Sequence, residues 1–331
     1  MSGVHGLLLP YWTRLLLIML AAGAVAYAAG AEAASVAAPV VLRRLRRWQA
    51  APGRAGNMAF TLRLLPLVAA GLASVVLCLP SYMWLEPRSG HSELVSPLCL
   101  LLALAGAAGL GCVLLRGVRA GMSSLRYGRR ARRRGELCEI QGQRVRVLQG
   151  LGPSMAVSGV WRPVLMVSQA AHRCLSSEQL ALGLGHEQAH RTAHDNLKRL
   201  LLAATPVAGA QARRLTQAWA RMAEWAADDR AVAGDAQRSL TLASALVAVA
   251  KLNGNGQTCG HLAPLVSTLE YGSGQELSER IARLLAFESA PAAPRPQRLW
   301  IGYAVAAAVL WCALQPTTLL AAHAVLERLV H

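Results

Sequence analysis

Leu180–His194 reads LALGLGHEQAHRTAH and contains the run His186-Glu187-Gln188-Ala189-His190. On an α-helix, positions i and i+4 lie on one face about 40° apart, so His186 and His190 can converge on one ion. Glu187 projects near the same edge, where a carboxylate can take a proton from metal-bound water. This is the HExxH arrangement of zinc hydrolases. Two ordinary helical histidines are the alternative when the motif stands alone. A hydrolytic zinc site needs a third protein ligand and keeps one position open. Downstream, Gln211–Val232 reads as a second helix and contains Glu224-Trp225-Ala226-Ala227-Asp228. The expectation is a Zn2+ centre with His186, His190 and Glu224 as ligands and Glu187 as the catalytic carboxylate. Asp228, one turn beyond Glu224, is expected to hydrogen-bond the outer nitrogen of a ligand histidine, His186 being favoured. His194 is a rival third ligand that drifts off the face by about another 40°. Asp195-Asn196 stands where a longer histidine motif would need its third His. His194 and Asp195 are therefore expected behind the ligands or in solvent.

The flanks read as a small domain. Arg144–Leu148, Met155–Ser158 and Val164–Ser168 are short alternating segments punctuated by Gly150, Gly152, Pro153, Gly159 and Pro163, the pattern of a small antiparallel sheet. Ala156, Val157 and Ser158 are expected to offer a strand edge on which an extended peptide binds by backbone pairing. Ser176-Ser177-Glu178-Gln179 is a helix-start signal of the capping type. Leu197–Pro206 is too short to cross a bilayer and reads either as an interfacial helix with Lys198 and Arg199 at its start or as a core helix. Tyr271, His261 and Arg230 are candidates for stabilising an oxyanion. Asn253–Gly260 and Gly272–Gly274 read as loops, and the Pro-rich Ser289–Pro296 as a linker.

Composition places this domain in a membrane protein. Lys and Arg number 34 against 17 Asp and Glu, a net charge of +17 that in a soluble chain would suggest a polyanion partner. Yet 54% of residues are hydrophobic, only 15% are charged and the mean hydropathy is +0.35, which excludes an ordinary soluble or disordered chain. Cys78, Cys99, Cys112, Cys138, Cys174, Cys259 and Cys312 form no CxxC pair, against a disulfide-framed domain or a cysteine zinc finger. Leu64–Leu85, Leu94–Leu115 and Leu299–Ala322 are uncharged and long enough to span. Leu15–Ala31, continuing past Glu32 to Leu42, reads as another span in competition with a cleavable signal peptide. Arg43, Arg44, Arg46, Arg47, Arg54 and Arg63 separate the first two spans, and Arg116 to Arg134 follow the third. Positive charge stays cytoplasmic, so both termini are expected outside, 116–298 inside, and the first span uncleaved. The clusters serve orientation and contact with membrane lipids. With no basic-aromatic platform, direct nucleic-acid binding is not expected. Arg129–Arg134 also reads as a self-cleavage site in an exposed basic linker.

Taken together, the run Ala156–Ser168, Leu175–Leu180, His186–His190, His194–Leu197, Glu224–Val232 and Glu279–Leu285 resembles the BlaR/MecR-type membrane zinc metallopeptidases over most of the chain. The resemblance implies four spans (about 15–42, 64–85, 94–115 and 299–322) with an α+β zincin-like domain at 116–298 between spans three and four. It implies a zinc metalloendopeptidase of a bacterial-type cytoplasmic membrane, cutting a cytoplasmic protein such as a transcriptional repressor; self-association is left open. Members that sense antibiotics carry a penicillin-binding domain after the last span. Here a short segment follows Ala321, without an S-x-x-K motif, so β-lactam sensing by this chain alone is not expected. The competing readings are an HtpX-like quality-control protease and a catalytically silent membrane receptor or scaffold.

Overall fold

The computed structural model describes residues 7–47, 51–86, 93–149, 155–161, 163–207, 209–254, 266–268, 274–286 and 307–330. The expected loops 255–260 and 272–273, the linker 289–296, and Tyr271 and His261 lie outside them. Strand β1 (Leu7–Leu9) pairs antiparallel with β2 (Glu93–Val95) at one end of a helical bundle. The bundle is built from α1 (Tyr11–Arg47), α2 (Pro52–Gly71), which continues through a π-helical stretch Leu72–Cys78 into α3 (Leu79–Leu85), and α4 (Pro97–Arg134). The π-helical stretch has a local cause. Pro80 lacks an N–H and its ring crowds the carbonyl four residues back. The register widens ahead of it, so that the Leu79 N–H reaches Ser74 O, five residues back.

Three helices are long and apolar enough to cross a membrane: Tyr11–Leu45, Pro52–Leu85 and Pro97–Arg134. Each is longer than its apolar core. Arg54 and Arg63, expected in a loop, lie within α2, which starts at Pro52 because proline loses nothing at a helix N-terminus. The expected boundary at 115/116 falls inside a continuous helix. Helix α4 starts on a Ser96 cap with Pro97 behind it, and runs unbroken to Arg132, Arg133 and Arg134, whose charges suit the C-terminal carbonyls. At 1.5 Å per residue it is roughly 57 Å long, nearly twice a bilayer core. Arg129–Arg134 is therefore helix rather than an extended linker. Small residues let the helices close. A Cβ on Gly106 of α4 would collide with the Leu20 carbonyl oxygen of α1.

The expected fourth span is broken. Helix α11 (Ala307–Ala313) and the following helix from Pro316 meet at 61°, because Pro316 disfavours helix at Gln315. That helix, α12 (Pro316–Val330), is no free outer tail. Leu326 is buried with Leu15, Ile18, Cys78 and Tyr82, and Ser81 donates to the Leu319 carbonyl at 3.1 Å.

The second unit is a five-stranded sheet, order β3-β4-β6-β5-β7, formed by β3 (Glu136–Ile140), β4 (Gln143–Leu148), β5 (Met155–Ser158), β6 (Val164–Ser168) and β7 (Val266–Thr268). It is mixed, not antiparallel: β4 and β6 run parallel. Strand β3, unanticipated, closes a hairpin with β4 over Gln141-Gly142, both at positive φ as a tight hairpin requires. Helices α5 (Gln169–Cys174), α6 (Ser177–Thr192), α7 (Asp195–Ala204), α8 (Gly209–Val232), α9 (Ala236–Gly254) and α10 (Gly274–Leu285) follow. Val145, Met155, Val157, Leu165 and Val167 of the sheet share a core with Leu180, Leu184, Leu242, Leu246 and Leu284. A second core joins α8 to the bundle, with Trp219, Met222 and Trp225 against Leu45, Ala55 and Ala59. Thus α8 carries one face to the membrane helices and, as shown below, another to the site.

Replacing Gly106 by Ala is expected to destabilise the protein by about 1–3 kcal/mol, the usual cost of overpacking. Thermal unfolding in detergent reads it; an unchanged midpoint would contradict the α1–α4 crossing.

Candidate metal centre

Helix α6 is fixed at its start by a reciprocal cap: Ser176 Oγ accepts from the Gln179 N–H, and Gln179 Oε1 accepts from the Ser176 N–H. It ends at Thr192, and His194 then takes the left-handed conformation (φ 55°), which His adopts more readily than most residues. His194 is exposed in this turn and takes no part in the site. The turn reverses the chain so that Asp195, the first residue of α7, reaches back to His190.

His186, Glu187, His190, Glu224 and Asp228 are all buried. His190 Nδ1 hydrogen-bonds Asp195 Oδ2 at 2.8 Å. His186 Nδ1 lies 2.8 Å from Asp228 Oδ1, close although not aligned as a hydrogen bond. Carboxylates only accept, so both Nδ1 atoms carry hydrogens and both Nε2 atoms are lone pairs in the neutral rings. Those two Nε2 atoms face each other at 3.1 Å. Glu224 faces the same point, Oε2 3.4 Å from His186 Nε2 and Oε1 3.5 Å from His190 Nε2. Three electron-rich groups converge where only a cation or protons can reconcile them. Glu224 Oε2 is buried and accepts no hydrogen bond. Zinc bonds of 2.0–2.1 Å in a tetrahedron put ligand atoms roughly 3.3–3.4 Å apart; the two histidine nitrogens stand at 3.1 Å, and each has one Glu224 oxygen, a different one in each case, at 3.4 or 3.5 Å. The donor set therefore fits zinc.

A second His/Glu group, Glu86, His323 and Glu327, is a weaker candidate. Glu327 is 60% exposed, and Glu86 is held by Arg14 at 2.8 Å.

The charges around the site follow from burial. Burial alone would lower the His190 pKa, but Glu224 and Asp195 outweigh it and raise it to about 9. His186 is raised as well, burial being overcome chiefly by Asp228 and Glu224. Burial raises a carboxylic acid, yet His190, His186 and Arg280 hold Glu224 well below its usual range, and Arg280 and His186 hold Asp228 at about 2. Glu187 goes the other way: burial, opposed by the two histidines, pushes it up to about 7. Its carboxyl can thus change protonation near neutrality.

Two arginines absent from the sequence expectation complete the site. Arg280 of α10 grips Asp228 with both arms of its fork, Nε–Oδ2 at 2.9 Å and Nη2–Oδ1 at 2.6 Å, and reaches Glu224 Oε2 with Nη1 at 3.3 Å. Arg199 of α7 donates to Glu224 Oε1 at 3.2 Å. Arg280 had a detectable signal: it shares the buried face of α10 with Leu277 and Leu284. Arg199, read from the sequence as marking the start of an interfacial or core helix, is buried at the site. Next to it, Arg283 forks onto Asp229 at 2.6 and 2.9 Å, clamping α10 to α8.

The expectation for Ala156, Val157 and Ser158 is corrected. They pair in register with Thr268, Ser267 and Val266 of β7 and are buried, so β5 offers no free edge. Arg230 donates to the Ala189 carbonyl at 3.2 Å, tying α8 to α6. Neither protein-family models, curated proteins nor solved structures gave a match to this chain.

Two outcomes are expected. Asp228→Asn should weaken zinc binding roughly 10–100-fold, the usual effect of removing a group behind a ligand histidine; competition with a chromophoric chelator measures it. Zinc binding should also tighten from pH 6 to 9. With a His190 pKa near 9 in the metal-free protein, an ion entering at pH 7 must displace a proton. By the same linkage, the metal-free fold keeps the His190 contribution fully below about pH 6.5 and loses it as pH rises through about 9. Affinity flat across this range would contradict the charge assignment.

Proposed function

We propose that this chain is a membrane-embedded zinc metalloendopeptidase whose site lies on the cytoplasmic side of a bacterial-type membrane. The observation that carries the reading is the convergence of His186, His190 and Glu224 beside a buried Glu187 on the same helix. A zinc ion held there would supply a polarised water and a Lewis acid for the scissile carbonyl. The chain's own residues do the rest. Asp228 and Asp195 keep the hydrogens on the outer nitrogens, so both histidines present lone pairs inward. Arg199 and Arg280 hold Glu224 in one orientation. Glu187 accepts a proton from the attacking water and returns it to the leaving amine. The resemblance to BlaR/MecR-type peptidases supports regulated cleavage of a cytoplasmic partner such as a repressor.

The test is a comparison of new protein N-termini in cells making the wild type or Glu187→Gln. The variant should retain zinc, while cleavage of the wild type's substrates falls by about 10²–10⁴. Cleavage at the wild-type rate would end this reading.

A further inference from the structure

Helix α7 has an unusual set of neighbours. Its N-terminal half is tied to the site: Asp195 holds His190, and Arg199 holds Glu224. Asn196 Nδ2 donates to the Val157 and Gly159 carbonyls at 3.1 and 3.0 Å, fixing the end of β5. The other end is tied to all three membrane-length helices. Arg63 of α2, itself buried, donates through Nη2 to the Thr205 and Pro206 carbonyls, both at 3.0 Å. Arg116 of α4 donates to the Ala203 carbonyl at 3.0 Å. Tyr27 of α1 reaches the Pro206 carbonyl at 3.5 Å. A further link runs alongside, where Lys198 bridges Asn57 of α2 at 3.3 Å and Asp195 at 3.2 Å.

Helix C-termini leave carbonyls without intrahelical partners, and basic side chains commonly satisfy them. That accounts for one capping arginine. It does not account for donors arriving from three separate helices onto Ala203 and the two residues just beyond α7, Thr205 and Pro206, when the other half of α7 touches two of the site's three converging groups. At 1.5 Å per residue α7 is a strut of roughly 15 Å. Its carbonyls are gripped by groups that move with the bundle, and its side chains grip groups that set the site.

We propose that Arg63 and Arg116 are positioning residues for the metal centre, acting through α7, so that the packing of α2 and α4 sets the orientation of Glu224 and His190. A shift of either helix along its axis draws on the Ala203–Pro206 carbonyls and moves Arg199 and Asp195 with them. The site is thereby coupled to the membrane segments without any ligand contacting it. The inference rests on the metal-centre geometry and not on which bond, if any, the site cleaves.

The test uses full-length protein in lipid nanodiscs, loaded with Co2+ for its visible absorption spectrum and with Zn2+ for affinity by chelator competition. Arg63→Met should alter the cobalt spectrum and weaken zinc binding on the order of tenfold, the low end for groups behind a ligand. Arg63→Lys, which keeps a donor for the carbonyls, should recover part of both. Arg116→Met, at an exposed position, should shift the same readouts in the same direction and decides the matter if Arg63→Met does not fold. Ser81→Ala removes an inter-helix hydrogen bond of the bundle that lies off this path and should leave the metal readouts unchanged. Wild-type spectrum and affinity in a folded Arg63→Met and in Arg116→Met would overturn the proposal, as would an equal effect of Ser81→Ala. Failure of the wild type itself to bind either ion would instead refute the metal centre.

Discussion

A buried carboxylate set against two buried histidine rings cannot stand alone, and the site is arranged around that constraint. Glu224 is taken out of water beside His186 and His190, and each partner that stabilises its charge is itself positioned by another group. Arg280 reaches Glu224 with its fork seated on Asp228. Asp228 in turn faces His186, and Arg199 arrives on α7. Four helices thus meet at one carboxylate. A buried charge left without such partners would shift its pKa and neutralise; here its partners hold the Glu224 pKa well below the usual range, which keeps the carboxylate in the form that could bind a metal.

The bundle is part of the same construction. Helix α8 supplies Glu224 and Asp228 from one face and packs Trp219, Met222 and Trp225 on α1 and α2 from another. Helix α4 extends well past the apolar length that a bilayer needs, so membrane helices continue directly into the domain that holds the site. Nothing resembling a flexible tether separates them at 115/116. The arginines following the third apolar stretch lie along one continuous helix, and Arg116 donates to a carbonyl of α7.

The parts of the site that follow helical periodicity could be read from the sequence. His186 and His190, and likewise Glu224 and Asp228, are four residues apart and share a face whatever surrounds them. What the sequence left open depends on the chain changing direction or on distant pairing. Asp195 serves His190 because His194 turns left-handed, an event that residue type permits but does not dictate. Arg280 sits 52 residues from Asp228, and only the packing of α10 on α8 joins them. The register of β5 against β7 is likewise non-local, which is why an edge expected to be open is covered. Parallel pairing of β4 with β6 leaves no trace in alternation, since both arrangements share a period of two. The bend before α12 was signalled by Pro316 but hidden inside a continuous apolar stretch.

X-ray absorption at the zinc edge, on the purified protein, reads the atoms bound to the ion. The expected first shell is nitrogen and oxygen only, at about 2.0–2.2 Å, with the multiple scattering of two imidazoles. A sulfur shell at about 2.3 Å, or retention of the same spectrum when both His186 and His190 are replaced by Ala, would contradict it.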